Sequence, residues 1–458
     1  MRNVLKKVSI FVFIFNLVFT VFTVYIFFIY ERNERSLRAN DEIAIETSKT
    51  RHYFDEQKWN ELNHASLEGG FEERRDSEKL FANNVTNQTW FTFEIWSKAA
   101  IGVYLWEHIL KGAVDKRADR EFYVHGFKKI GNFKIKFRSG PSLNVASLRQ
   151  YLTNEAKIKN FLSSKSKTVT KNIVLVINGR DEDKVKYSKS YLNELMSLRN
   201  DHNADRFQIG LVMLGNENCF NNWIKPYLEK YGGIAKFLFI VYDWNAIDNE
   251  SIFQWPLGVA TYRNFPNLNS NNHFSLKSYR PYFCNFLGSI YKNSSREELY
   301  NLLKKLNLSE KCLIKPRWEW QPIESPESMQ FYVEALKTSD LTLSPIGMNH
   351  ECYRIYEAMT YGSVPILEEN LNHVRGKRSM CDQKSAYRLL KSDNSPLIFI
   401  KNWTLEFPLL LRRENELSLE AKIERRINLV NWYNRFKVKL RDQFLNVIRE
   451  KFFMIQQE

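Results

Sequence analysis

Cysteine is scarce in this chain, which has five among 458 residues: Cys219, Cys284, Cys312, Cys352 and Cys381. No two of them form a CxxC pair or another metal-ligand spacing, so the sequence argues against a zinc site. In an oxidising compartment we expect two disulfides and one free thiol. A nucleophilic role for Cys352 is the alternative, but structural pairing is the commoner role of such a cysteine.

Long apolar runs are also missing, with one exception at the N-terminus. Residues 8–30 contain no charged side chain, and about 20 apolar residues of helix are enough to span a bilayer. No small-x-small cleavage site follows them, which argues against a removable signal peptide. Because the basic residues 1–7 should stay in the cytosol, we expect a type II signal-anchor with the remaining chain in the secretory lumen. The run 237–241 is too short to span and predicts a buried strand.

An excess of acidic residues is absent as well, since 67 Lys and Arg face 52 Asp and Glu. A basic balance suits an anionic ligand, such as a nucleotide diphosphate or a phosphorylated glycan. Nucleic acid is the other common partner of a basic chain, but a luminal location excludes nucleic acid as a partner. Six N-x-Ser/Thr triplets agree with that location. They begin at Asn84, Asn87, Asn249, Asn293, Asn307 and Asn402.

The rest of the chain predicts a folded body of enzyme size behind a polar stem at 31–92. A helix at 94–111 and a strand pair at 122–137 should open the first domain, 93–275. Apolar strands then alternate with helical segments, which predicts a parallel, doubly wound sheet. The strands are at 172–177, 207–214 and 236–242, and the helices at 186–198 and 222–231. The carboxyl ends of the strands in this sheet should place four residues around one cleft: Asn178, Arg180, Glu217 and Asp243.

A second α/β domain is predicted at 276–415, followed by a long amphipathic helix within 416–458. Strands are expected at 282–290, 311–314, 340–344, 364–367 and 397–400, with helices at 296–306 and 325–336. Two Rossmann-like domains facing one another, braced by the C-terminal helix, make a GT-B-like arrangement.

Residues 339–367 are the most informative stretch, because they predict a strand, a glycine loop, a helix and a strand. Asn349 is the predicted N-cap of a helix that ends at Tyr361. A glycine loop that leads into a helix N-terminus offers backbone N–H groups to a diphosphate. Arg354 and Glu357 share a helix face and would hold phosphate oxygens and a pair of vicinal hydroxyls, respectively. The alternative is an ordinary crossover whose Arg and Glu pair on the surface.

The same residues carry a family resemblance. Residues 286–367 resemble the donor-binding half of exostosin-type glycosyltransferases, with Gly288 followed by Arg296, then Pro345-x-Gly347 and Arg354-x-x-Glu357. From about residue 93 onward, the chain resembles the ribitol 5-phosphate xylosyltransferase family more closely. The segments that carry this second resemblance are 95–96, 98–102, 104–108, 214–217, 253–266 and 351–358. Neither resemblance marks a catalytic base.

The closer resemblance implies transfer of xylose from UDP-xylose to the ribitol of ribitol 5-phosphate, with inversion, on the O-mannosyl glycan of α-dystroglycan. It also implies a Golgi membrane location and, as partners, a glycoprotein acceptor and other glycosyltransferases of the same pathway. Arg296, Arg354 and the helix N-terminus would stabilise the departing UDP, so we expect no metal or other cofactor. The expected donor-binding residues are Gly288, Arg296, Ser344, Gly347, Arg354 and Glu357.

Other roles remain open from the residues alone. Glu217 and Asp243 are candidate bases, or structural caps. Trp255, Tyr262 and Arg263 are candidates for the acceptor site, with aromatic burial between domains as the competing explanation. The triplet 181–183 spells D-x-D, which could hold a divalent ion, but its lysine neighbours favour a solvated loop.

Two other function classes stay open beside the xylosyltransferase. One is an exostosin-like transferase that uses another UDP-sugar on a glycosaminoglycan acceptor. The other is a non-catalytic luminal scaffold or lectin with a GT-B body. An intact donor site discriminates against the second.

Overall fold

The computed structural model describes residues 90–113, 115–116, 124–140, 143–153, 170–199, 207–267, 276–319, 321, 324–369, 381, 387–391 and 394–454. All of them belong to one compact unit, Gln88–Glu458. The predicted anchor, the stem and the sequons at Asn84 and Asn87 lie outside the described residues. In the part of the chain that is described, no helix combines the length and the apolar character needed to cross a bilayer.

An eight-stranded sheet occupies the first half of this unit. Its strands are β1 (Phe91–Ser97), β2 (Asp115–Lys116), β3 (Val124–Ile130), β4 (Phe133–Ser139), β5 (Lys171–Asn178), β6 (Phe207–Leu214), β7 (Ala235–Val241) and β8 (Ile252–Trp255). The order is β2-β3-β4-β1-β5-β6-β7-β8. The six strands from β4 through β1 to β8 are parallel, whereas β2 and β3 add an antiparallel edge. The central strands are buried along most of their length, as expected of parallel strands covered on both faces.

Helical segments connect these strands. They are α1 (Ile101–Val103) with a π-helical turn at Tyr104–Ile109, α2 (Val145–Thr153), α3 (Glu182–Leu198), and 3₁₀ turns at Asn222–Tyr227, Glu229–Tyr231 and Thr261–Arg263.

A five-stranded sheet follows, and all its strands are parallel. Its strands are β9 (Tyr282–Ser289), β10 (Cys312–Arg317), β11 (Ser339–Ser344), β12 (Val364–Glu368) and β13 (Ile398–Ile400). Its helices are α4 (Ser295–Lys305), α5 (Pro326–Thr338), α6 (Tyr353–Thr360), α7 (Arg388–Lys391) and α8 (Trp403–Glu416). The order β10-β9-β11-β12-β13 reverses between β9 and β11. In open α/β sheets the crevice at such a reversal is where ligands bind. The predicted α/β class with parallel sheets is confirmed.

The C-terminal helix α9 (Leu419–Ile448), which ends in a π-helical turn at Arg449–Phe453, contacts both sheets. On the first, Phe444 packs against Phe239 with ring centroids 5.5 Å apart. On the second, Arg426 forms a buried ion pair with Asp340 of β11, with 2.6 Å between Nη2 and Oδ1. The helix therefore ties the two sheets together.

Three predicted helices differ from the structure. The helix at 94–111 is wrong in its first part, because β1 lies between β4 and β5 and its apolar run is that of a central strand. Asn349 is not the N-cap of α6, since Cys352 precedes the first helical residue. The segment 222–231 forms two 3₁₀ turns, the first of which contains Pro226. The prediction also missed α8.

The cysteines form two pairs at bonding distance. Cys284 of β9 and Cys312 of β10 are partners in the register of neighbouring strands. Cys219, in the turn after β6, meets Cys381 across a sequence separation of 162 residues. Cys352 is left as a free thiol. The second pair joins the edge of the eight-stranded sheet to the part of the chain that follows β12.

Candidate functional site

A cavity of about 440 Å³ lies where the carboxyl ends of the two sheets meet. The eight-stranded sheet contributes the loops after β5, β6, β7 and β8. The five-stranded sheet contributes the loops after β9, β10 and β11 and the first turns of α4 and α6. This is the crevice that the strand order predicts, and it contains most of the expected donor-binding residues.

Two arginines form one wall of the cavity. The Nε and Nη2 atoms of Arg354 donate to the backbone oxygen of Leu287 at 3.2 and 2.8 Å, and the buried Nη1 has no partner among the described residues. Arg296 donates from Nη1 to the Ser289 oxygen at 3.0 Å, and its buried Nε has no partner in the same part of the chain. Within the described residues, neither arginine pairs with an acidic side chain. Burial and then the neighbouring Arg354 lower the pKa of Arg296.

Two glycines make room for these arginines. A Cβ atom added to Gly288, near the end of β9, would collide with Nη2 of Arg354. One added to Gly347 would lie 2.5 Å from Nη2 of Arg296. The sequence predicted Gly347 as a donor-binding residue because its loop offers backbone N–H groups, and Gly288 because of the family resemblance. The structure adds that their missing side chains allow the guanidinium groups to lie against the loop.

Glu357 and Glu351 line the cavity and hold a segment of the opposite sheet. Oε1 of Glu357 accepts from the Ala260 N–H at 3.0 Å, and Oε2 accepts from the Tyr332 hydroxyl at 2.6 Å. Oε1 of Glu351 accepts from the Leu257 N–H at 2.7 Å and from the Tyr356 hydroxyl. Burial raises the pKa of both carboxyl groups, that of Glu351 to about 7.

Sequence reasoning did not single out Glu351. Its segment, 351–358, was noted only as carrying the family resemblance. Its partner, the Leu257 N–H, comes from the segment after β8, so no local pattern marks the contact.

Glu217 lines the opposite wall, in the turn after β6. Its Oε1 lies 3.2 Å from Nη2 of Arg180, and its backbone oxygen accepts from Nδ2 of Asn349 at 2.8 Å. Asn178 lies just behind, where its Oδ1 accepts from the Arg180 N–H at 3.0 Å. Asn349, predicted as a helix cap, thus joins the two walls.

Tyr262 and Arg263 lie together in the cavity, one turn beyond the segment held by the two glutamates. The Tyr262 ring is 43% exposed and contacts the Tyr353 ring at 5.7 Å between centroids. Arg263 donates from Nη2 to the Gln321 oxygen at 2.9 Å and pairs with Glu324 at 3.4 Å. Both residues therefore line the cavity, and their acceptor role stays a prediction.

Three predicted site residues do not line the cavity. Asp243 is buried beside Nη2 of Arg388 at 3.2 Å, so it does not project from the edge of the sheet as predicted. Trp255 has no exposed surface and packs against Phe239 and Phe444, as the alternative of aromatic burial predicted. Ser344, the last residue of β11, is buried within the sheet.

The D-x-D triplet forms the start of α3. Asp181 is the N-cap, and its Oδ1 accepts from the Lys184 N–H at 2.9 Å. The triplet is exposed to solvent as predicted, but it begins a helix and the predicted loop is wrong. No group of three His, Cys, Asp or Glu residues suited to a metal ion occurs in the described ranges. Among the sequons, Asn249, Asn293 and Asn307 are exposed, whereas Asn402 is half-buried and caps α8.

Comparison with known proteins matches the chain to two family models. The model described as RXYLT1 N-terminal domain matches residues 93–256, and the RXYLT1 C-terminal domain matches residues 262–453. The chain is 39% identical to ribitol-5-phosphate xylosyltransferase 1 of Danio rerio over 463 aligned residues, which cover 99% of this chain and 100% of that protein. It is 37% identical to the protein of the same name from Homo sapiens, over 92% of this chain and 88% of that protein.

Among solved structures, a trehalose-6-phosphate structure from E. coli with bound UDP-2-fluoro glucose covers 79% of this chain and 99% of its own, at 10% identity. The TM-score of this match is 0.39.

Proposed function

The chain belongs to the ribitol-5-phosphate xylosyltransferase 1 family, and from this premise we propose that it transfers xylose from UDP-xylose to the ribitol of a ribitol 5-phosphate-capped glycan. The acceptor in this proposal is the O-mannosyl glycan of α-dystroglycan, and the configuration at the sugar carbon inverts. The two parallel sheets, with a cavity between their carboxyl ends, support a GT-B-like arrangement for this chemistry.

The unpaired arginines are the observation that carries the proposal. A buried cation costs free energy unless it is paired, and within the described residues neither Arg296 nor Arg354 forms an ion pair with an acidic side chain. A diphosphate supplies that negative charge and has oxygens for the free Nη1 of Arg354 and the free Nε of Arg296. Glu357 lies beside them, and each of its oxygens keeps a second lone pair, which can accept from a ribose hydroxyl.

The mechanism places the two reacting groups on opposite walls. We propose Glu217 as the general base, because it lines the cavity and faces the arginine wall, whereas Asp243 does not line it. Glu217 would take the proton of the attacking ribitol hydroxyl. Arg296, Arg354 and the N-terminus of α6 would stabilise the charge that grows on the departing UDP, without a metal. Tyr262 and Arg263 would orient the acceptor.

The defining experiment is an assay of the secreted luminal chain, residues 31–458, with a panel of UDP-sugars. Two acceptors are compared, a ribitol phosphate-capped glycan and a glycosaminoglycan primer. We expect transfer of xylose to the first only. Transfer of another sugar to the glycosaminoglycan would support the exostosin-like alternative. UDP binding without any transfer would support a non-catalytic scaffold.

The proposed location is the Golgi membrane, with residues 8–30 as a type II anchor and both cysteine pairs oxidised in the lumen. Residues 8–30 carry no charge, and Asn249, Asn293 and Asn307 are exposed sequons, which supports this orientation. Protease added to sealed Golgi vesicles should spare the body of the chain. Digestion of that body from the cytosolic side would overturn the assignment.

A further inference from the structure

A second cavity, of about 740 Å³, lies on the far side of the two loops that form one wall of the site. Arg180 faces the first cavity, while its neighbours Gly179 and Asp181 line the second. Glu217 likewise faces the first cavity, and Asn216 lines the second. The Nδ2 atom of Asn216 donates to the Arg180 oxygen at 2.7 Å, so the two loops form one continuous partition.

The surface of this second cavity combines aromatic rings with amines, amides and the carboxylates of Asp181 and Glu182. Phe220 is 53% exposed, although it directly follows a cysteine that anchors its loop, and Trp223 is half-buried beside it. Lys186, Lys189 and Asn193 lie at helical spacing along α3 and form the facing wall. Neither lysine forms an ion pair within the described part of the chain. The carboxylate of Asp181, at the helix start, is engaged by a backbone N–H.

Exposed aromatic rings suit the apolar faces of sugar rings, and free lysines suit a phosphodiester. An acceptor whose terminal hydroxyl reaches Glu217 must extend out of the first cavity, and the partition that carries Glu217 also borders the second. We propose that the second cavity binds the phosphorylated glycan beyond the reacting ribitol, and so selects extended acceptors over short ones. This inference rests on the proposed function of the first cavity.

The test compares two acceptors with the full chain in detergent: ribitol 5-phosphate carried on a single sugar, and the same group on the extended, phosphodiester-containing glycan. For Phe220→Ala, we expect KM for the extended acceptor to rise roughly five- to tenfold. The KM values for the short acceptor and for UDP-xylose should stay unchanged. The double variant Lys186→Ala/Lys189→Ala should raise the same KM and weaken its dependence on salt. Phe127→Ala is the matched control, because Phe127 is 59% exposed on β3 and lies outside both cavities.

Equal KM values for the extended acceptor in Phe220→Ala and wild type would overturn the inference. So would an equal rise with the short acceptor, which would place the effect in the first cavity. Binding of the extended glycan without donor, measured by calorimetry, separates the two proposals. If wild type binds the glycan through Phe220 but transfers no xylose, the proposed function fails and this subsite stands.

Discussion

The two walls of the first cavity are built from similar sheets but differ in how their charges are balanced. On the eight-stranded side, Glu217 is paired with Arg180, and the nearby Asp243 is paired with Arg388. On the five-stranded side, Arg296 and Arg354 face the cavity, and within the described ranges their hydrogen-bond acceptors are backbone oxygens only. Paired charges hold loops in place, whereas unpaired ones attract a ligand of opposite sign. The comparison therefore supports the proposal that the anionic donor binds on the five-stranded side and that the acceptor and the base Glu217 lie on the other.

The strongest test of this contrast removes one of the unpaired cations. Arg354→Ala should weaken UDP binding by about 1.5–3 kcal/mol, because a charge-assisted contact to the diphosphate is lost. Part of the loss should appear in kcat, since charge grows on UDP during transfer. Calorimetric titration with UDP and donor kinetics measure both effects. Arg180→Ala, on the balanced wall, is the control and should leave UDP affinity unchanged.

The secreted yield of Arg354→Ala shows whether this arginine acts in binding or in folding. The yield of Arg354→Ala should stay near that of the wild type, because its removal also relieves repulsion with Arg296. Collapsed secretion with unchanged UDP affinity would show that the arginine is structural.

A smaller effect is expected from the glycine beneath that arginine. Gly288→Ala should displace the guanidinium and weaken UDP binding by about 1–2 kcal/mol. If the glycine acts only by making room for Arg354, the same change made in Arg354→Ala should have almost no effect on UDP affinity. Additive losses in this double-mutant cycle would contradict the proposed dependence.

A smaller effect again concerns pH and the contacts between the walls. Burial raises the pKa of Glu351 to about 7, so the folded protein holds this proton more tightly than the unfolded chain. Its contribution to stability is complete below the usual value of 4.5 and is lost as the pH rises through 7. Glu351→Gln should therefore be more stable than wild type at pH 7.5, and the difference should nearly vanish near pH 4.5.

Urea unfolding at both pH values measures this difference. The charged neighbour is Asp243, and the nearby tyrosines stay neutral across this range. Parallel stability curves for the two proteins would mean that Glu351 does not titrate as described.

The smallest expected effect is that of metal removal. If the arginines and backbone amides alone stabilise UDP, activity should largely survive EDTA. Complete loss of activity that only Mn²⁺ or Mg²⁺ restores would revive the D-x-D interpretation of 181–183. It would also show that the unpaired arginines do not by themselves stabilise the departing UDP.

Most strands were predictable because a buried parallel strand is a continuous apolar run that ends in polar residues, and both signals are local. The helix prediction failed at residues 94–97 because a central strand and an apolar helix face look alike over so few residues. The prediction of Asn349 as a helix cap failed because its Oδ1 accepts from the Glu351 N–H, ahead of the helix, while its Nδ2 donates to the Glu217 oxygen, far away in sequence. The prediction that Trp255 lines the acceptor site failed because the rings that bury it include Phe444 of the C-terminal helix, which is also far away in sequence.

The candidate site was predictable in its residues but not in their dependence on one another. Gly288, Gly347, Arg296 and Arg354 were all predicted from spacing and resemblance. That each glycine makes room for one particular arginine depends on how β9, β11, α4 and α6 pack. Glu351 was missed because its partner comes from the other sheet.

The unpaired arginines also have a consequence for the rate of each half of the catalytic cycle. A positive wall draws anions from solution, so association of the donor should speed up as ionic strength falls. UDP carries more negative charge than UDP-xylose, however, and leaves from the same two arginines. The groups that hasten capture of the substrate thus retain the product. We therefore expect UDP to be a strong product inhibitor that competes with UDP-xylose.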